Sequence, residues 1–412
     1  TRGAPAPPQP RPPAMTAPRS DTPFSLKQIA VPAFGPSVLY GIGNGAILPV
    51  IALSARELGA SVAVAGLIVS LMGIGSLVSN IPAAMITSRH GERRSMAGAA
   101  AFSVLALLLC IFATHAWMLG LGVFLVGMAA SVFMLARQTY LIDAVPPYLR
   151  ARALSTLGGT NRIGVFIGPF AGAAMIHFAG LDGAYWVAAV GISGAGLIAW
   201  LAPEMASDGH AGTARAKPRV QDIARDHAKV FLTLGLGILL VSALRSSRQV
   251  VIPLWADHLG LAPTTASIIY GLVAAIDMSV FYPAGTIMDR RGRLWVALPS
   301  VLLMGGALMA TSLTTGIVPF LIVSLILGFG NGISSGIVMT LGADASPAHG
   351  RTEFLGIWRL IADVGNSLGP VILSAITAVA SLTIGVASVG TLGLAAAAVL
   401  WRWLPRRTPP TR

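Results

Sequence analysis

The chain alternates long apolar runs with short polar or basic interruptions. A helix needs about 20 mainly apolar residues to cross the hydrocarbon core of a bilayer, and twelve runs reach that length. They predict helices one to twelve, in chain order, over 31–55, 61–87, 95–114, 116–142, 156–178, 183–203, 229–256, 264–288, 294–314, 316–343, 354–377 and 380–403. The predicted fold class is therefore an all-α membrane protein with twelve transmembrane helices.

The interruptions predict the domain organisation. Residues 1–30 are rich in Pro, Ala and Arg and are predicted to be a disordered cytoplasmic tail, with a second tail over 404–412. The longest interruption, 204–228, is polar and basic and is predicted to be a cytoplasmic linker. It separates an N-terminal six-helix bundle over 31–203 from a C-terminal six-helix bundle over 229–403.

Basic residues are confined to alternate interruptions, which predicts the orientation in the membrane. If both termini are cytoplasmic, 22 of the 28 Lys and Arg lie on the cytoplasmic side, five lie within spans, and only Arg56 lies outside. This is the bias of the positive-inside rule. The sequence therefore predicts a multi-pass protein of the inner (cytoplasmic) membrane with both termini cytoplasmic.

The composition agrees with this class and excludes others. Hydrophobic residues make up 55% of the chain and charged residues 10%, whereas soluble domains contain about 25% charged residues. The net charge of +13 is explained by topology, so no nucleic-acid partner is predicted. The single cysteine, Cys110, lies in an apolar run, and the sequence has no nucleotide-binding loop, nucleophile triad or metal-ligand spacing. We expect no enzyme activity, cofactor or metal.

The two halves of the chain repeat each other in parallel at a constant offset of 201 residues. The matching pairs are Leu58 and Leu259, Gly59 and Gly260, Pro82 and Pro283, Arg89 and Arg290, Gly91 and Gly292, Asp143 and Asp344, Pro146 and Pro347, Arg150 and Arg351, Gly164 and Gly365, Gly168 and Gly369, and Pro169 and Pro370. Six helices duplicated in the same orientation predict two pseudo-symmetric bundles around a central cavity, one rocking against the other.

Two stretches resemble motifs of a known family. Residues 285–293, GTIMDRRGR, resemble the signature loop G-x-x-x-D-R-x-G-R of the major facilitator superfamily, and the first-half counterpart carries Ala84 and Ser88 in place of Gly and Asp. Residues 164–173 resemble the G-x-x-x-G-P-x-x-G-G motif of that superfamily's antiporters, with Ala173 for the last glycine. The chain is thus similar to the twelve-span drug:proton antiporters.

The resemblance implies a secondary transporter that works by alternating access as a monomer in the bilayer. Its first predicted function is proton-coupled export of a small organic molecule or drug. The alternative is a carrier of an organic anion, such as a carboxylated or phosphorylated metabolite, because five arginines within spans outnumber the intramembrane acids Asp277 and Asp363. A third alternative is a sensor that kept the fold without transport.

The tight turns near Asp143 and Asp344 are flanked by arginines, and these ion pairs are predicted to latch the cytoplasmic side. The alternative is static anchoring by the positive-inside bias. The bent, glycine-striped helices five and eleven are predicted to move. The predicted gating residues are Arg89, Arg93, Asp143, Arg162, Gly168, Pro169, Asp289, Arg290, Arg293, Asp344, Arg359, Gly369 and Pro370.

Depth along the spans predicts where substrate and proton bind. Asn44, Arg245, Asp277 and Asn331 fall near the midplane, and Arg248 lies one turn outward of Arg245. A buried carboxylate is costly unless a cation holds it, so Asp277 is the leading candidate to carry a proton. The alternative is a static pair between Asp277 and an arginine of helix seven.

A second charged set lies deeper toward the cytoplasm. Arg359 and Asp363 are four residues apart and share a helix face, and Arg162 corresponds to Asp363 across the repeat. These residues are predicted to form a bridge that breaks between access states, or a permanent polar network, and Asp363 is the second proton-coupling candidate. Arg137 has no charged counterpart and is predicted to face substrate.

Aromatic side chains near the predicted cavity are candidates to stack on a substrate, although aromatics at helical spacing also serve plain packing. Together with the polar midplane residues they complete the predicted substrate cavity. Its members are Tyr40, Asn44, Arg137, Tyr140, Arg245, Arg248, Phe281, Asn331 and Trp358.

Overall fold

A computed structural model describes residues 30–145, 149–202, 220–347 and 350–404. Within these ranges twelve helices are long and apolar enough to cross a membrane, which confirms the predicted number. They are α1 (Val31–Glu57), α2 (Val62–His90), α3 (Glu92–Ile111), α4 (Ala116–Ala144), α5 (Ala153–Ala179), α6 (Asp182–Leu201), α7 (Ala228–His258), α8 (Pro263–Met288), α9 (Leu294–Thr311), α10 (Ile317–Ala345), α11 (Glu353–Val379) and α12 (Leu382–Trp403).

The repeat is visible in the backbone as well as in the sequence. The turn between α1 and α2 contains Gly59 with φ of 81°, and the matching turn between α7 and α8 contains Gly260 with φ of 69°. Gly91 after α2 and Gly292 after α8 also have positive φ, at 76° and 96°. Residues with a Cβ rarely adopt this backbone conformation, so glycine at these positions permits the tight connections in both halves.

Three of the spans are irregular. The first is interrupted by a turn over residues 48–50, and α7 begins with a π-helical turn at Phe231–Gly235. The tenth span leaves regular helix at Ser335 and Gly336. Irregular backbone inside a membrane is tolerated where protein or a cavity satisfies it, and the break in α10 lies beside the charged centre described below.

Glycine stripes hold two pairs of helices together within each bundle. A Cβ added at Gly164 or Gly168 of α5 would clash with backbone atoms of α1, and one added at Gly365 or Gly369 of α11 would clash with backbone atoms of α7. Because these glycines have no side chain, the two helices of each pair can approach closely, as small residues permit in membrane proteins generally. The stripes unite helices of one half, and the gating roles of Gly168, Pro169, Gly369 and Pro370 stay predictions.

The two bundles meet along two symmetry-related helix pairs. α2 of the N-terminal bundle packs against α11, and α5 packs against α8. Along the first pair, Gly66 approaches Ser374 and Gly73 approaches Ser367; along the second, Gly271 approaches Phe170. α2 and α8 are repeat counterparts, as are α5 and α11, so the same contact is made twice around one pseudo-two-fold axis.

Part of the predicted linker is helical. A short helix, Val220–Asp226, precedes α7, and its Ile223 is buried. His227 lies edge-on to Phe354 of α11, with ring centroids 5.5 Å apart. The predictions for residues 1–29, 203–219 and 405–412 lie outside the described residues. We call the end of the molecule that carries residues 89–94 and 290–293 the basic end, and the end that carries Arg56 the opposite end.

Candidate transport site

Asp277 of α8 is the centre of a buried polar cluster. Its Oδ2 accepts a hydrogen bond of 2.7 Å from Nδ2 of Asn331 and lies 3.3 Å from Nη2 of Arg248. Its Oδ1 lies 3.8 Å from Nη1 of Arg162. The Asp277 side chain is only 14% exposed, so these partners replace the water that an ionised carboxylate otherwise needs.

Asn331 connects Asp277 to a third arginine. Nε of Arg245 donates a hydrogen bond of 3.0 Å to Oδ1 of Asn331, whose amide nitrogen is committed to Asp277. The structure thus brings together three of the four predicted midplane residues, Arg245, Asp277 and Asn331, with Arg248, which was predicted one turn outward. Asn44 of α1 is half-buried, and its Oδ1 has no hydrogen-bond partner among the described residues.

Arg162 joins the two bundles. It belongs to α5 of the N-terminal bundle, yet its Nη2 donates to Oγ of Ser335 in α10 and its guanidinium lies 4.4 Å from the ring centroid of Phe281 in α8. With the ion pair to Asp277, one side chain makes three contacts across the interface. Position along the spans predicts that Arg162 lies with Asp363, whereas the structure places Arg162 at the midplane cluster beside Asp277.

Asp363 lies at a separate contact between the bundles. Its Oδ2 is 4.0 Å from Nε of Arg359 on the same helix, as their spacing predicted. Its carboxylate also interacts with the side chain of Asn80 in α2. Asn80 accepts a hydrogen bond of 2.7 Å from Ser131 Oγ in α4. Asn80 and Ser131 were not among the predicted residues, since uncharged polar side chains are common in spans.

Arg137 is a buried cation on α4 with no carboxylate partner among the described residues. Its Nη1 donates to Oδ1 of Asn161 at 3.5 Å, and its Nη2 lies 3.1 Å from Sδ of Met134. Tyr40 of α1, which stacks on Phe133 with centroids 4.2 Å apart, interacts electrostatically with Arg137. The residue is 7% exposed, and its Nε has no hydrogen-bond partner in the described chain.

The two remaining predicted aromatics are engaged in packing. Trp358 of α11 is buried, and its Nε1 donates a hydrogen bond of 2.8 Å to the backbone oxygen of Val338. Its ring stacks on Phe354 at 6.0 Å. Tyr140 is buried and interacts with Arg93. These contacts occupy the polar atom of Trp358, and a substrate role for either residue stays a prediction.

At the basic end, the two halves differ. In the second half, Nε of Arg293 lies 2.9 Å from Oδ2 of Asp344, and Nη1 donates to the backbone oxygen of Met288 at 3.2 Å. In the first half, the guanidinium of Arg93 lies 5.3 Å from the ring centroid of Trp200. The side chain of Asp289 lies outside the described residues. Arg89, Arg290 and Asp143 make no ion pair within the described part of the chain.

The opposite end carries an ion pair that the sequence reasoning missed. Nε of Arg56 in α1 lies 3.3 Å from Oδ2 of Asp257 in α7, and Nη1 donates to the backbone oxygen of Ala60 at 2.7 Å. The two residues are separated by 201 positions, so each is the repeat counterpart of the other. The same offset that aligned Gly59 with Gly260 marks this pair in the sequence.

Two six-helix bundles related by a pseudo-two-fold axis, with charged side chains meeting between them, are the architecture of a membrane transporter. The family model of the Major Facilitator Superfamily matches residues 36–370 and 234–412. The chain belongs to this superfamily, as the signature loop predicted.

Known proteins resemble this chain in sequence or in fold. The Multidrug resistance protein MdtH of Yersinia pestis (strain Pestoides F) is 23% identical over 337 residues, which cover 81% of this chain and 82% of that protein. A bacterial homolog of the human lysosomal transporter Spinster, in an inward-facing and unoccupied conformation, has a TM-score of 0.78 at 16% identity, covering 93% and 99% of the two chains. A D-xylose-proton symporter has a TM-score of 0.75 at 15% identity, with coverage of 93% and 99%. These structural likenesses concern the fold.

Proposed function

We propose that this transporter exports a small organic molecule in exchange for protons, by alternating access. The observation that carries the proposal is Asp277, the carboxylate at which both bundles converge. Arg162 reaches it from the N-terminal bundle, and Arg248 and Asn331 reach it within the C-terminal bundle. A proton taken up at this position changes the attraction between the bundles directly.

Protonation removes the negative charge of Asp277 and weakens its hold on Arg162. Two unit charges about 4 Å apart attract each other by about 4 kcal/mol at an effective dielectric of about 20, and the Arg162–Asp277 distance is 3.8 Å. Transporter states differ by a few kcal/mol, so one proton supplies enough energy to shift their populations. Arg162 and Asp277 are therefore proposed as the coupling pair, with Asp363 as a second proton site.

The proposed substrate position lies between the polar residues that face each other across the two halves. The N-terminal bundle contributes Tyr40, Asn44 and Arg137 to this proposed position. The C-terminal bundle contributes Arg245 and Arg248. Among the described residues, Nε of buried Arg137 and Oδ1 of Asn44 have no hydrogen-bond partner. This supports the proposed position, because buried polar atoms without partners are costly unless a ligand or water completes them.

Two further observations support the proposed direction of transport and the proposed orientation in the membrane. The curated relative in Yersinia pestis carries a multidrug-resistance name, which supports export of a drug-like molecule. The concentration of Arg and Lys at the basic end supports a cytoplasmic location for that end and for both termini. We propose a monomer in the cytoplasmic membrane.

A second candidate is a carrier of organic anions, and the charge of the cluster favours it. Arg137, Arg162, Arg245 and Arg248 lie within the transport site against one carboxylate, Asp277. A carboxylate or phosphate group pairs well with arginine. An anion that drew Arg248 away from Asp277 would favour protonation of Asp277, so anion and proton would move together. A cation would compete with the proton and move against it.

The direction of coupling distinguishes the two candidates. The purified protein is reconstituted in liposomes, and two fluorescent probes are used, the cation ethidium and the anion carboxyfluorescein. For an antiporter, ethidium accumulates when the interior is acidic, because protons leave as the dye enters. For an anion carrier, carboxyfluorescein accumulates when the medium is acidic. Protein-free liposomes correct for passive leak.

Asp277→Asn tests the proposed proton site, and Asp182→Asn is the matched control at an exposed position. We expect gradient-driven ethidium accumulation to fall at least tenfold in Asp277→Asn and to stay unchanged in Asp182→Asn. Ethidium transport that continues at the original rate in Asp277→Asn contradicts the proposed coupling. Accumulation of carboxyfluorescein alone, lost in Arg137→Gln, replaces the first candidate with the second.

A further inference from the structure

The N-terminal bundle carries a groove that the transport mechanism does not use. It has a volume of about 450 Å³ and lies between α2, α3 and α4 near the basic end. Its walls are mainly apolar, with Pro82, Ile86, Phe102, Met128 and Val132 among them. We infer that this groove binds an anionic phospholipid, with acyl chain in the groove and headgroup at its basic rim.

The groove opens toward the bilayer and away from the transport site. Ile86 and Phe102, on two of its walls, are 38% and 42% exposed, and apolar side chains exposed at membrane depth are in contact with lipid. α3 packs on α4 and α6 and belongs to neither of the two helix pairs that join the bundles. A molecule in the groove therefore contacts the outside of the N-terminal bundle.

Gly98 of α3 creates the space. It lines the groove, and a Cβ added there would have no atom within 4 Å. Its counterpart in the second half is Pro299, and the counterpart of Arg94 is Trp295. The repeat therefore does not reproduce this combination of an open apolar groove with a basic rim.

The rim of the groove is basic, and its Arg94 has no carboxylate partner within the described part of the chain. Arg94 and His90 line the groove where α2 ends and α3 begins. Nδ1 of His90 donates to the backbone oxygen of Ile86 at 3.2 Å, which orients the ring at the rim. Arg94 is exposed and has no ion pair or hydrogen bond within the described part of the chain.

The signature loop differs between the two halves. Where the second half has Asp289, the first half has Ser88, whose hydroxyl donates to the backbone oxygen of Met85 at 3.0 Å. The first-half turn thus lacks the acid at the motif position and carries Glu92 instead, which makes no ion pair within the described part of the chain. Arginines at headgroup depth attract anionic lipid. Charge complementarity and the apolar groove beside it select an amphiphile with a negative head.

Native mass spectrometry of the full-length protein tests this site with two probes, phosphatidylglycerol and phosphatidylcholine of equal chain length. We expect phosphatidylglycerol to bind about tenfold more tightly. Arg94→Gln reduces this preference to threefold or less, and Gly98→Leu reduces retention of both lipids at least fivefold. The matched controls are Arg291→Gln and Gly306→Leu in the second half, where an added Cβ at Gly306 also meets nothing; both keep the original preference.

The added Cβ of Gly98→Leu meets no atom within 4 Å. A melting temperature without added lipid that matches that of Gly306→Leu establishes that the variant is folded. Equal retention of the two lipids by the unaltered protein overturns the inference. So does a preference that survives both Arg94→Gln and Gly98→Leu. Glycerol 3-phosphate at the same concentration tests whether the headgroup alone binds. If it displaces phosphatidylglycerol, the rim is a site for a soluble anion, and the lipid site is overturned.

Discussion

Exchanging the charges of Arg56 and Asp257 tests whether their ion pair holds the opposite end of the transporter closed. The two residues are repeat counterparts 201 positions apart, and Nε of Arg56 lies 3.3 Å from Oδ2 of Asp257. Because the two residues are repeat counterparts, they lie on opposite sides of the pseudo-two-fold axis. Exchanging arginine and aspartate between these positions therefore leaves an ion pair at the same place. Arg56→Asp or Asp257→Arg alone places two like charges together, and the double exchange restores attraction.

The expected magnitude follows from the exposure of the pair. The two side chains are 36% and 41% exposed, and exposed ion pairs contribute roughly 0.2–1 kcal/mol in measured cycles. Neutralising Arg56 with Gln is therefore expected to shift the equilibrium between closed and open forms by about 1.4-fold to fivefold, using tenfold per 1.4 kcal/mol. Arg56→Asp replaces attraction by repulsion, so its shift is larger. High salt screens exposed charges and reduces both effects.

Spin labels at the opposite end measure this equilibrium. Cysteines replace Glu57 and His258, which are exposed neighbours of the pair and also repeat counterparts. The single native cysteine, buried Cys110, is first changed to alanine. Pulsed electron paramagnetic resonance then gives the distance distribution. We expect Arg56→Asp to move population from the short to the long distance, and the double exchange to return it.

Two results would refute the reasoning. A distance distribution that is the same in Arg56→Asp and in the unaltered protein shows that the pair does not hold this end closed. A double exchange that resembles the single variants shows that Arg56 acts through its hydrogen bond to Ala60, at 2.7 Å, and that charge attraction to Asp257 is not the cause.

The remaining predictions concern packing and the basic end. Gly168→Val drives side-chain atoms into the backbone of α1. It is expected to lower the free energy of unfolding by about 1–3 kcal/mol, which is measured as a lower melting temperature. Gly158→Ala is the control, because an added Cβ there meets nothing, and equal melting temperatures of the two variants would contradict the packing. Arg293→Gln breaks the 2.9 Å ion pair with Asp344 and is expected to increase labelling of a cysteine placed at the basic end; unchanged labelling would exclude a latch there.

The sequence alone predicted the number of spans, the parallel repeat and the family. The bilayer imposes a minimum length on each apolar helix. Each of the twelve apolar runs of that length can therefore be recognised as a span from the sequence. The constant offset of 201 residues indicated that the two halves are symmetric. In agreement, the counterparts Gly59 and Gly260 both have positive φ. Depth along a span was also readable, because Arg245, Asp277 and Asn331 lie at similar distances from their helix ends and meet in one cluster.

Only the tertiary structure decided which side chains meet across the bundles. Repeat and depth placed Arg162 with Asp363, whereas the packing of α5 on α8 brings it to Asp277. The physical reason is that lipid and the helix-packed interior are both apolar. The apolar pattern of a spanning helix therefore fixes its length and depth but leaves undetermined which face points toward a neighbour. The pairing of Arg162 and the contact between Asn80 and Asp363 both depend on that rotation, and the fold sets it.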